Sequence, residues 1–119
     1  MLEKLGMHRN IVKMFEAEYD PASSTANLSL EYAVGGDLAG LIKYWHTRGI
    51  QAPAAMVLHA MVQIGEALAF MHGSWVRCNR CSGYHVSASP HCAIVHSDVK
   101  PQNILIRFPG HQNGLPDFV

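Results

Sequence analysis

His96-Ser97-Asp98-Val99-Lys100-Pro101-Gln102-Asn103, running on into Ile104-Leu105, is the stretch from which the fold is read. It sets a carboxylate, an ammonium and a carboxamide along one short loop. Alone, an Asp or Asn ahead of a strand is a cap or turn residue, and Pro101 is ordinary turn chemistry. The joint spacing with His96 and Pro101 is what that bland reading leaves unexplained. On either side, Ala93-Ile94-Val95 and Asn103 to Arg107 have the branched, apolar character of short strands. Downstream, Pro109, Gly110, Asn113 and Gly114 predict a hairpin turn leading into Leu115 to Val119.

Upstream of the loop, Gly73 to Cys92 is rich in Gly, Ser, Cys and His and predicts a long irregular insertion. Before it, Val57, Met61, Ile64, Leu68 and Met71 recur at steps of four and three, which predicts a helix over 54–72. His59, Gln63 and Glu66 form its opposed polar stripe, apolar residues at flanking positions mean that the helix needs covering on most sides, and Pro53 suits its first turn. Asp37 is placed to cap an earlier helix through Leu38, Leu41, Ile42 and Trp45, directly after the strand-breaking Val34-Gly35-Gly36. Ile11 to Tyr19 and the alternation of Leu28, Leu30 and Tyr32 predict two strands joined through Asp20, Pro21, Ser23 and Ser24. Leu2 and Leu5 have helical spacing that Gly6 ends. There is no internal repeat.

The 119 residues and 13.1 kDa allow one domain or part of one. A content of 49% hydrophobic and 15% charged residues argues against disorder, and nine basic against nine acidic side chains give no field for nucleic acid or an anionic membrane. The apolar stretch near 52–71 carries His59, Gln63 and Glu66, which a bilayer would leave unpartnered. The start MLEKLGMHRN shows no basic segment followed by an apolar one, so a cytoplasmic or nuclear location is expected. Three cysteines are too few for a disulfide scaffold. Cys78 and Cys81 form a CxxC pair, and His85, His91 and Cys92 could complete a tetrahedral Zn²⁺ site, against the alternative of a solvated loop. The oligomeric state is not legible.

The loop His96 to Asn103 resembles the catalytic loop of protein kinases, of the serine/threonine type because Lys100 follows Asp98 by two residues. Its neighbours resemble the family in the same order. LGMHRNIVKMF looks like the end of the C helix and the fourth strand, and LSLEYAVGGDL like the fifth strand, the hinge and the start of the next helix. The resemblance covers about residues 1–72 and 93–119. It implies an α+β fold, a fragment of the two-lobed kinase fold, with 1–33 as remnant of the small lobe and hinge and 34–119 as the start of the large lobe.

The same resemblance implies roles. Asp98 would orient the substrate hydroxyl and accept its proton, Lys100 would neutralise the γ-phosphate of ATP, and Asn103 would hold Mg²⁺. Leu30 falls at the gatekeeper position, Glu31 and Ala33 at hinge positions whose backbone meets adenine, Asp37 near the ribose, and Leu105 under the purine. Met14, Leu2 and His96 align with the regulatory spine. The implied partners are ATP and a protein substrate. An alternative is a catalytically silent kinase-like interaction module, against which the intact Asp98, Lys100 and Asn103 argue.

Departures from the pattern shape further expectations. No glycine-rich phosphate loop or strand lysine precedes the hinge, so the chain alone is expected to be inactive and, with an apolar helix short of partners, marginal in stability or prone to aggregate. Ser97 stands where many kinases have Arg, so control through an Arg pairing with a phosphorylated segment is not expected. Asp117-Phe118-Val119 could be a degenerate metal-binding Asp-Phe-Gly triad, but Pro116 after a hairpin turn favours a strand leading toward a triad further on.

Overall fold

The computed structural model describes residues 8–72, 76–77, 84–85, 94–107 and 114–119, with the backbone alone for 76–77 and 84–85. Strand β1 (Met14–Asp20) pairs antiparallel with β2 (Thr25–Leu30) from Asp20↔Thr25 to Met14↔Leu30, with an irregularity between Met14 and Glu16. The turn between them follows from its polar residues. Asp20 Oδ1 accepts from the Ala22 amide at 2.9 Å and its Oδ2 from Ser23 Oγ at 2.6 Å, closing an Asx-type turn.

After β2 the chain passes Val34-Gly35-Gly36 and enters helix α1 (Leu38–Thr47). Gly36 has φ +74, a left-handed conformation that side-chain-bearing residues rarely adopt. Asp37 caps α1 as the sequence predicts, its Oδ1 accepting from Gly40 N at 2.7 Å. Asp37→Ala is expected to destabilise the chain by about 1 kcal/mol, measured as a shift in urea midpoint at unchanged slope. A loss under a few tenths would mean that water replaces the cap.

Helix α2 (Ala54–Met71) follows, with Pro53 one position earlier than expected, as the residue preceding the first turn. Ile94 N donates to Met71 O at 2.9 Å, so the chain returns to the end of α2 after the intervening segment. That segment, expected to be irregular, contains a short antiparallel pair, β3 (Val76–Arg77) with β4 (Tyr84–His85). Val and Tyr favour extended backbone, which the surrounding Gly and Ser obscured in the sequence pattern. The expected strand at Asn103 begins later. Pro101–Asn103 form a 3₁₀ turn, and strand β5 (Ile106–Arg107) pairs antiparallel with β6 (Asp117–Phe118).

The core joins α2 to the β5–β6 hairpin. Phe118 and Ile106, 1% and 2% exposed, meet Ala60, with Leu38, Leu41, Met56, Ile64 and Ile104 packed around them. The expected apolar face of α2 turns inward only in its C-terminal half, where Ile64 and Leu68 are half-buried and Met71 is buried. Gln63 is 2% exposed and His59 and Glu66 are half-buried, whereas Val57, Met61, Leu58 and Val62 are exposed. The physical reason is β6. Its outer edge faces α2 and needs partners: His59 Nε2 bonds Pro116 O at 2.9 Å, and Gln63 bonds Asp117 and Phe118. Glu66 pairs instead with Arg9 at 3.6 Å. By length and composition α2 could cross a membrane, yet its polar residues are engaged within the chain.

Candidate active site

The segment Ile104–Arg107, which ends in β5, forms the platform beneath the loop because both of its edges are paired. On one side Leu38 N donates to Ile104 O at 2.9 Å, Gly35 N to Ile106 O at 2.8 Å and Ile106 N to Gly36 O at 2.8 Å, with Asp37 opposite Leu105. On the other side Leu105 and Val119 exchange both backbone bonds, at 2.7 and 3.0 Å. Asp37 and Leu105 are thereby neighbours.

Above this platform the loop closes on Asp98. Lys100 Nζ lies 2.8 Å from Asp98 Oδ2, and Asn103 Nδ2 donates to the same oxygen at 2.8 Å and to the Asp98 carbonyl at 2.9 Å. Pro101 begins the 3₁₀ turn with a fixed φ and no N–H to satisfy, and Asn103 N donates to Lys100 O at 2.9 Å. That turn is what folds Asn103 back onto Asp98. Ser97 carries φ +64, uncommon for a residue with a side chain, and His96 Nδ1 accepts from Asp98 N at 3.3 Å. The carboxylate and the ammonium are both about half exposed, open to a reacting group from solvent.

The hydrogen bond from Lys100, and secondarily that from Asn103, holds the Asp98 carboxyl below the usual carboxylate range. A carboxylate depressed in the folded state lends stability above its unfolded pKa, and that contribution is lost as pH falls through the lower folded value. On an exposed group the effect on stability is small. Its effect on charge state is direct: Asp98 remains an anion at pH values where an ordinary carboxyl begins to protonate. Lys100→Met is expected to move the Asp98 titration upward, as followed by carboxyl-carbon NMR. An unchanged titration would show that Lys100 does not control the charge.

Asn103 carries an oxygen of the kind that a hard cation takes as ligand. Its amide nitrogen is committed to Asp98, and its Oδ1, the atom able to coordinate Mg²⁺, has no hydrogen-bond partner among the described residues. Asp117 is placed otherwise. Its Oδ1 accepts from Gln63 Nε2 at 2.9 Å and it pairs with Arg107 in the ladder, the strand arrangement that Pro116 favours.

The residues singled out for nucleotide contact fall into two groups. Leu30, Lys100 and Asn103 line one cavity of about 330 Å³ together with Val99, Phe118 and Val119. Glu31, Ala33, Asp37 and Leu105 do not line it. Ala33 is buried, and the Glu31 carboxylate meets Arg107 Nε as an ion pair and accepts from Lys13 N at 3.2 Å. Cys78, Cys81 and Cys92, with the side chain of His85, lie outside the described residues, as do Leu2 and the turn at 109–113. Among the described residues no group of three or more His, Cys, Asp or Glu could hold a metal.

Sequence reasoning passed over Asn10 and Arg107 and gave Gln63 no partner. Arg107 joins Glu31 to the Arg9 carbonyl, donating from Nη1 at 3.1 Å. Gln63 had a signal, a polar residue amid an apolar helical run, but only its place in the polar stripe of the helix was read from it and not its partner. Asn10 had none.

Comparison with known proteins gives a consistent result. The sequence model of the Protein kinase domain family matches residues 1–118. The chain is 32% identical over 112 residues to Mitogen-activated protein kinase kinase 3 of Arabidopsis thaliana, covering 93% of this chain and 17% of that protein. It is 31% identical over 112 residues to Serine/threonine-protein kinase Nek2 of Homo sapiens, covering 93% and 22%. To Probable cyclin-dependent kinase 8 of Dictyostelium discoideum it is 27% identical over 107 residues, covering 90% and 23%. The chain thus spans about one fifth of the length of these relatives.

Proposed function

Because the chain belongs to the protein kinase domain family, we propose that it supplies the catalytic loop and hinge of a serine/threonine protein kinase, transferring the γ-phosphoryl of ATP to protein hydroxyls. The observation that carries this reading is the single oxygen Asp98 Oδ2, shared at 2.8 Å by Lys100 Nζ and Asn103 Nδ2. The three groups that phosphoryl transfer requires are already assembled around one point.

In this reading the Asp98 carboxylate accepts the proton of the attacking Ser or Thr hydroxyl. The hydroxyl oxygen bonds to the γ-phosphorus as the bond to the leaving ADP oxygen breaks. Lys100, held close to Asp98, would neutralise the negative phosphoryl oxygens, and Asn103 Oδ1 would serve as a Mg²⁺ ligand. The bound Mg²⁺ would neutralise charge on the phosphates. Leu30, in the cavity it shares with Lys100 and Asn103, would flank the purine. Ala33 and Leu105 on the purine, backbone groups of Glu31 and Ala33 on its edge and Asp37 near the ribose lie outside that cavity and rest on the family resemblance.

The test is phosphoryl transfer from γ-labelled ATP by the longest chain that the coding region provides, offered Ser/Thr and Tyr peptides in parallel. Label on Ser and Thr alone is expected. Label on Tyr alone, or none with an intact Asp98, would defeat the reading.

A further inference from the structure

Among the described residues, only two polar side chains are buried, Asn10 at 4% and Gln63 at 2% exposure, and both bond to the same residue. Asn10 Nδ2 donates to Phe118 O at 2.8 Å, and Gln63 Oε1 accepts from Phe118 N at 2.7 Å. In an antiparallel ladder, successive residues point their N–H and C=O alternately toward the partner strand and away from it. Val119 exchanges its bonds with Leu105, so Phe118 presents both of its backbone groups outward, where a third strand would otherwise be required. The two amides take that strand's place. A slip of one residue would turn Phe118 out of the core and bring the wrong backbone groups to the amides.

We infer that Asn10 and Gln63 are positioning residues that clamp Phe118 and so fix the register of the β5–β6 hairpin, which follows the turn holding Asn103. The connection is short. Phe118 and Val119 hold Ile106 and Leu105 in the ladder, Leu105 lies two residues beyond Asn103, and Asn103 and Val119 line the same cavity. Asn10 precedes β1, while Gln63 sits mid-way along α2, so the segment leading into the small sheet and the long helix share one anchor. A hydrophobic side chain at either position would pack, yet could not read backbone register. The functional part of this inference rests on the kinase reading; the clamp itself does not.

The test is residue-resolved amide hydrogen exchange on the chain, comparing wild type with Gln63→Leu and Asn10→Leu. In Gln63→Leu, exchange at Phe118, Val119 and Leu105 is expected to accelerate about tenfold, the equivalent of one buried hydrogen bond, while amides in α1 and in the middle of α2 keep their rates. Asn10→Leu should accelerate exchange at Val119 and Leu105 in the same local pattern. In the longest chain from the coding region, both variants should lower kcat at unchanged KM for the peptide. Wild-type exchange rates at Val119 and Leu105, or acceleration spread evenly over both helices, would overturn the inference. If Gln63→Leu does not fold, Asn10→Leu decides by the same criteria. Absence of phosphoryl transfer in the wild type would defeat the kinase reading while leaving the exchange result interpretable.

Discussion

Asp98→Asn is expected to lower kcat for phosphoryl transfer by about a hundredfold to ten-thousandfold, the range that a positioned general base contributes. The amide is nearly isosteric but cannot take up the hydroxyl proton, and it removes the negative charge that draws Lys100 Nζ to within 2.8 Å. It also places an uncharged group opposite Asn103 Nδ2, which now donates to a carboxylate oxygen. Because the Asp98 side chain is exposed, the thermal midpoint should stay close to that of the wild type, separating chemistry from folding. KM for ATP should change little, since the purine contacts assigned to Leu30, Ala33 and Leu105 are untouched. A variant that kept a tenth or more of wild-type kcat would remove Asp98 from the role of proton acceptor.

Phe118→Ala carries the largest expected effect on stability, about 3–5 kcal/mol. Phe118 is 1% exposed at the junction of Ala60 and Ile106, and its ring lies 6.3 Å from that of His59. Truncation would leave a cavity where α2 meets β5 and β6, among Ala60, Ile106 and Ile64. Against total stabilities of about 5–15 kcal/mol for a domain, this is a large fraction of the whole, and a chain at the low end of that range would be left with little net stability. Leu58→Ala on the exposed face of α2, at 63% exposure, is the matched control and should cost under about 0.5 kcal/mol. Urea unfolding of the two variants makes the comparison. Equal effects would mean that the core is not centred on Phe118.

Local chemistry was legible where it acts within a few residues. Asp37 was identified as a cap because a carboxylate before an apolar helical run has little else to bond, and it accepts from Gly40 N. The strands around Pro21 to Ser24 and both helices lie within a few residues of where turn chemistry and periodicity put them. The assembly of Asp98, Lys100 and Asn103 was legible because Pro101 and a short spacing bring the loop back on itself.

What was not legible is non-local. The partners of the polar stripe on α2 were not legible because periodicity locates such a stripe but does not say whether water or a strand edge satisfies it. Here β6 does, through His59 and Gln63. The bond from Asn10 to Phe118 spans nearly the whole chain and leaves no trace in local pattern. The same holds for Arg107, which joins Glu31 to the Arg9 carbonyl. The positive φ at Ser97 could not be anticipated from a serine, since polar turn residues usually adopt negative φ.

The claim that Asp98, Lys100 and Asn103 form a site for moving phosphate is tested most directly by paramagnetic line broadening from Mn²⁺ in the presence of a non-hydrolysable ATP analogue. Broadening concentrated on Asp98 to Asn103, dependent on the nucleotide and lost in Asn103→Leu, is the predicted result. Broadening that ignores the nucleotide, survives Asn103→Leu unchanged, or centres on the cysteine-containing segment would contradict it.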